Sequence, residues 1–131
     1  MTILKPALIA WFEAKLKVRK LGFSIKGLII HQDQDPVYTS YQWVRQIIIK
    51  DKARLSFAKA GARENPIMES FLARFKTENK SLFLDCQTLE ELRRVVKERI
   101  IYYNNQRRHS SLGNISPRRF IKNYRKTPYQ K

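Results

Sequence analysis

The chain has 131 residues and a formal net charge of +16 at neutral pH, from 27 Lys and Arg against 11 Asp and Glu. Its length excludes a large multi-domain enzyme, and a hydrophobic content of 43%, with 11% aromatic, excludes wholesale disorder. A charge this positive calls for an anionic partner, nucleic acid first and an anionic membrane surface second. Cys86 stands alone, so neither an intrachain disulfide nor a cysteine-based zinc site forms, which fits a reducing compartment. Lys5, Glu13, Lys15 and Lys17 interrupt the apolar N-terminal stretch, so no apolar run reaches the length of a membrane span and no signal peptide is read. The expectation is a soluble cytoplasmic protein.

Leu4, Leu8, Trp11, Ala14, Val18 and Leu21 recur at helical spacing, with Lys and Arg opposite, and Gly22 is placed to end that helix. Leu28-Ile29-Ile30 is short, branched and apolar, which predicts a buried strand of the parallel type. The polar run 31–40, with Pro36 and two Asp residues, predicts a loop. Ser40 then caps a helix to about Lys50, with Trp43, Val44, Ile47 and Ile48 facing inward. Ala53 to Phe57 predicts a second strand, and 59–64 a loop. Asn65-Pro66 opens a helix to about Asn79 or Lys80. Thr88-Leu89-Glu90-Glu91 is a capping box, followed by the stripe Leu89, Leu92, Val96, Ile100 and Tyr103. Ser116-Pro117 opens a last short helix through Phe120 and Tyr124. The order is that of an α/β layer arrangement.

The charge is uneven. Residues 93–131 hold 12 Lys and Arg against one acid, Glu98, while 1–92 hold 15 against 10. A solvated basic tail and a nucleic-acid surface are equally good readings of such a run, and the interleaved Tyr102, Tyr103, Phe120, Tyr124 and Tyr129 suit either.

Two acids stand out by position. Asp33 lies three residues past Ile30, where the chain leaves the predicted sheet, and chemistry in open α/β sheets gathers at the carboxyl ends of strands. Glu69 lies in the first turn of the helix opened by Asn65-Pro66, where the helix dipole favours an ionised carboxylate. Lys76 is two helical turns further on the same face. Each acid alone reads as a solvated surface residue. Carboxylates that converge hold Mg²⁺ together with substrate phosphate, and paired ions can activate a nucleophile and stabilise a leaving oxygen in phosphodiester chemistry.

HQDQDPVYTS at 31–40, ENPIMESF at 64–71, Lys76, YYNNQRRHSSLG at 102–113, Ser116-Pro117 and Phe120 resemble the integrase catalytic core of bacterial insertion-sequence transposases. These belong to the DDE transposases and retroviral integrases, and the resemblance runs from the first helix to about Tyr124. It implies a ribonuclease H-like fold, here partial, with the first strands of the sheet missing and a helical basic C-terminal segment. The implied organisation is a truncated core over residues 1–124 and a basic tail over 125–131. It implies DNA transposition by nicking and strand transfer, with Asp33 and Glu69 as catalytic residues and metal ligands for Mg²⁺ or Mn²⁺. A two-ion site is expected only in the intact domain. Lys76 matches a basic position that faces DNA near the active site, and Arg107, Arg108 and His109 match a basic C-terminal signature whose detailed role the resemblance does not fix; all four are read as DNA-binding. DNA, both element ends and target, is the implied partner, with the upstream half of the same transposase as a second. The oligomeric state stays open, no membrane is involved, and the implied location is the bacterial cytoplasm at the nucleoid.

Two departures from the family pattern are visible. The usual first motif is His-Ser-Asp, then Gln or Arg, then Gly; Asp35, followed by Pro36, stands in place of that Gly. Asp35 therefore predicts a distorted loop or an extra carboxylate near the metals. The family's first aspartate, on the first strand, has no counterpart, since the sole acid before Asp33 is Glu13 in a predicted helix. The expectation is an N-terminally truncated chain, a remnant of a decayed element or half of a split reading frame, inactive alone. The alternative is a non-catalytic nucleic-acid-binding basic protein.

Overall fold

The computed structural model describes residues 4–59 and 64–124. They fall into two compact units, Met1–Leu72 and Ala73–Lys131. The tail read at 125–131 lies outside the described residues.

The first unit opens with α1 (Leu4–Lys20). Gly22 adopts φ 81°, its N–H donates to the Arg19 carbonyl at 2.8 Å, and the Phe23 N–H donates to the Val18 carbonyl at 3.1 Å. These paired bonds satisfy the last helical carbonyls, and the left-handed conformation they need suits glycine. β1 (Ile29–Gln32) and β2 (Arg54–Phe57) pair in parallel, Ile29 opposite Arg54 through Gln32 opposite Phe57. Between them run α2 (Pro36–Thr39), α3 (Tyr41–Val44) and a π-helical stretch, Arg45–Lys50, continuous with α3. Parallel strands need such a crossover. Ser40 caps α3 as expected, accepting from the Trp43 N–H.

The core consists of Trp11, Ile25, Trp43, Ile47 and Ala53, with Leu8, Ala14, Val18, Ile30, Tyr38 and Leu55 packed around it. Inside it lies a charged knot. Asp51 accepts from Lys15 Nζ (2.7 Å), Trp11 Nε1 (2.8 Å) and Gln46 Nε2 (2.8 Å). The Asp51 N–H closes the π-helical turn onto the Gln46 carbonyl at 3.0 Å, which brings the Gln46 and Asp51 side chains together.

Three expectations need correction here. Ile48, expected to face inward with Trp43 and Ile47, is instead 46% exposed. β1 is not buried on both faces: Ile30 faces the core, but Ile29 is 58% exposed. The alternation of a strand covered on one side has won over the continuous apolar run. The segment 31–40 is not all loop, because Pro36 at the first helical position starts α2.

α4 (Pro66–Glu78) begins in the first unit and ends in the second. α5 (Lys80–Leu84), α6 (Leu89–Asn105), a 3₁₀ turn (Ser110–Leu112) and α7 (Pro117–Tyr124) follow. The break between α4 and α5 sits at buried Asn79, whose Nδ2 donates to the Phe75 carbonyl (2.7 Å) and whose Oδ1 accepts from Arg99 Nε (2.5 Å). An amide bonded to its own backbone in this way competes with continuation of the helix. α6 opens on the expected capping box. Its apolar stripe is half-buried at Leu92, Val96 and Tyr103 and exposed at Leu89 and Ile100. Phe75 packs with Phe83 and Tyr103 at ring separations of 5.8 and 6.4 Å. Among the described residues no helix is long and apolar enough to cross a membrane.

Candidate functional site

Asp33 is held in place from the strand behind it. Gln32, at the end of β1, turns inward and is buried; its Oε1 accepts from Trp43 Nε1 (2.9 Å) and its Nε2 donates to the Tyr38 carbonyl (3.0 Å). Strand alternation then turns the chain outward, and Asp33 is exposed. Asp33 Oδ1 accepts from the Asp35 N–H at 3.1 Å, and Asp35 Oδ1 accepts from the Val37 N–H at 2.9 Å as the N-cap of α2. Asp35 does not distort this loop. Its φ of −56° and ψ of 140° are ordinary extended values, which the following Pro36 favours. A glycine conformation is not needed there, and Asp35 supplies a cap that Gly lacks.

Glu69 is exposed in the first turn of α4, with its N–H on the Asn65 carbonyl at 3.1 Å. Glu64, just before that helix, is tied twice. Its Oε2 accepts from the Lys59 N–H at 2.5 Å, and its carbonyl lies 2.8 Å from His31 Nε2. His31 Nδ1 lies 3.0 Å from Ser56 Oγ, directly across the sheet in register. A carbonyl only accepts, so Nε2 carries the hydrogen and a neutral ring accepts the Ser56 hydroxyl at Nδ1. One imidazole thus joins β1, β2 and the start of α4. No group of three or more His, Cys, Asp or Glu side chains able to hold a metal occurs among the described residues.

The basic positions divide. Lys76 on α4 and Arg108 are exposed. Arg107 is half-buried and grips Glu78 bidentately, Nε to Oε2 at 2.7 Å and Nη2 to Oε1. Those bonds, reinforced by the opposite charge, hold the Glu78 carboxyl below its usual range and push the Arg107 guanidinium further up. Arg107 also lies 5.5 Å from the Tyr103 ring and donates from Nη1 to His109 Nδ1 at 3.2 Å. His109 packs edge-on against Tyr103 at 4.7 Å, and its Nε2 is buried without a hydrogen-bond partner among the described residues. Arg107 and His109 are therefore committed to the turn that follows α6.

Sequence reasoning missed His31, Ser56 and Glu64 as a group. Only the parallel register brings 31 opposite 56, and nothing in their spacing signals it. Arg93, Arg94 and Lys97, exposed on one face of α6 beside Glu90, were also not singled out.

What emerges is an α/β unit with one carboxylate where a parallel strand ends and another at the start of a helix, followed by a basic helical unit. Residues 53–117 match the integrase core domain family, a stretch holding Glu69, Lys76 and Arg107 to His109 but not Asp33. The chain is 39% identical over 100 residues to the insertion element IS600 uncharacterized 31 kDa protein of Shigella sonnei, covering 75% of this chain and 36% of that protein. It is 35% identical over 103 residues to the transposase for insertion sequence element IS904 of Lactococcus lactis subsp. lactis (strain IL1403), covering 73% of this chain and 38% of the relative. The match thus spans little more than a third of each relative's length. Over these stretches the chain is therefore similar to an integrase core domain and to insertion-sequence proteins.

Proposed function

We propose that this chain serves DNA transposition as part of a ribonuclease H-like catalytic core, with Asp33 and Glu69 as ligands for a divalent cation. The observation that carries the reading is the placement of two exposed carboxylates, at the end of β1 and in the first turn of α4, on segments that His31 and Glu64 join directly. Their all-oxygen donor set suits Mg²⁺ or Mn²⁺, and Mg²⁺ is commonly held by one or two carboxylates plus substrate phosphate and water. Two carboxylates fit one such ion; a two-ion site needs more donors, and the described residues offer no third within a cluster. A bound Mg²⁺ supplies Lewis-acid polarisation of a phosphate oxygen and of the attacking hydroxyl. The chain's own part is to present two carboxylates to the cation, and to orient DNA through exposed Lys76 and Arg108. Arg107 and His109 act one step back, by shaping the backbone that presents Arg108.

Residues 1–131 are inactive alone on this proposal, which needs a further carboxylate that Glu13, exposed on α1 and off the sheet, does not supply. The work is placed in the bacterial cytoplasm at the nucleoid. Purified chain incubated with element-end DNA and Mg²⁺ is expected to give no strand transfer, and a Mg²⁺-dependent product abolished by Glu69→Gln would contradict that expectation.

A second reading, a non-catalytic DNA-binding protein, is favoured by the lack of a three-acid cluster among the described residues and by the 12 Lys and Arg against one acid in 93–131. Duplex binding untouched by Mg²⁺, and by Asp33→Asn with Glu69→Gln, is its signature.

A further inference from the structure

We infer that His31 is a positioning residue that sets where Glu69 lies relative to Asp33, an inference that rests on reading those two acids as a ligand pair. Its place in the chain makes this specific. Gln32 turns inward to Trp43 and Tyr38, so His31 projects from the other face of β1, the side away from the core. There its ring reaches Ser56 Oγ at 3.0 Å on the paired strand and the Glu64 carbonyl at 2.8 Å. Asp33 is two residues past the ring and Glu69 five residues past that carbonyl, so the link between the two acids runs through one side chain and short stretches of backbone. Glu64 is fixed at its other end by the Lys59 N–H at 2.5 Å, which ties the start of α4 to the end of β2. α4 is continuous from Pro66, so a shift of its first turn carries Glu69 with it. His31 is exposed, and an exposed imidazole with both ring nitrogens engaged in the same unit contributes direction more than burial. Groups that orient metal ligands without touching the metal typically change affinity 10- to 100-fold when removed.

Spin labels at Gln34→Cys and Ser70→Cys, both exposed, in a Cys86→Ser background report the distance between the two segments by double electron–electron resonance. The parent is expected to give one narrow distribution. His31→Ala, and His31→Phe, which keeps a ring without polar atoms, are expected to broaden or shift it with circular dichroism unchanged. His31→Gln, whose Nε2 reaches the Glu64 carbonyl, should restore it more fully than the shorter His31→Asn. In the unlabelled chain, His31→Ala is expected to weaken Mn²⁺ binding about 10-fold, and His31→Gln to recover most of that loss. Superimposable distributions for parent, Ala and Phe overturn the inference. So does unfolding of both the Ala and Phe chains, which makes His31 a support of the whole unit and not of one placement. A parent chain that binds no Mn²⁺ through Asp33 and Glu69 contradicts the metal reading instead, and the distance measurement still decides the role of His31.

Discussion

The two units treat their ion pairs differently. In Met1–Leu72, Lys15 and Asp51 meet at 2.7 Å with side chains only 8% and 7% exposed, and Trp11 and Gln46 complete the carboxylate's bonds. In Ala73–Lys131, Arg107 and Glu78 meet at the surface, with Glu78 39% exposed. A buried charge must be fully bonded or it is very costly, so the first pair locks α1 to the end of the π-helical turn. A surface pair has water as an alternative partner and contributes little, so the second orients a turn without holding the unit together. The same contrast separates the acids of the first unit. Asp51 is used up by the fold, whereas Asp33 and Glu69 are left exposed to solvent.

The largest expected effect comes from opening the buried pair. Asp51→Ala leaves Lys15 buried without a counter-charge and should cost about 3–5 kcal/mol in urea unfolding. A loss below about 1 kcal/mol would mean that Lys15 escapes to water and that the two pairs do not differ. Acid sharpens the comparison. Burial pushes the Asp51 carboxyl up, but hydrogen bonds from Lys15, Trp11 and Gln46 more than offset this, so it titrates below 3.8. Its stabilisation is therefore complete above the ordinary carboxylate value and is lost as pH falls through the lowered folded-state value. Asp51→Asn should flatten the acid limb of the unfolding midpoint, and Glu78→Gln should change it less.

At the surface pair, Arg107→Lys keeps the charge and loses the bidentate grip, at an expected cost of no more than about 1 kcal/mol. The smaller test concerns DNA. Lys76→Ala and Arg108→Ala should each make the slope of log K against log salt shallower, by about 0.9 for every phosphate that the side chain neutralises. Arg107→Ala acts through backbone placement and should leave that slope closer to the parent's.

Helices were legible wherever a cap or a stop signal coincided with apolar spacing. Gly22 ended α1, Thr88 and Glu91 opened α6, and Pro66 opened α4, because each signal acts within a turn of its own position. The break at Asn79 was not legible, since it depends on Arg99, twenty residues on. Nor was the exposure of Ile29, which follows from what covers each face of β1. For the site, local motif spacing led to Asp33, Glu69 and Lys76. His31, Ser56 and Glu64 stayed hidden because strand register sets His31 opposite Ser56 and the packing of the segment before α4 brings in the Glu64 carbonyl, and the sequence did not reveal that Arg107 is bonded to Glu78.

On the proposed function Asp33 and Glu69 share one divalent cation. Titration of the ¹³C-labelled chain with Mn²⁺, followed by paramagnetic broadening of side-chain carboxyl signals, tests it most directly. Asp33 and Glu69 are expected to broaden together at the lowest Mn²⁺ concentration, before the other exposed carboxylates, and Asp33→Asn is expected to abolish the early broadening at Glu69. Broadening of the two at different concentrations, or early broadening at Glu69 that survives Asp33→Asn, would contradict it.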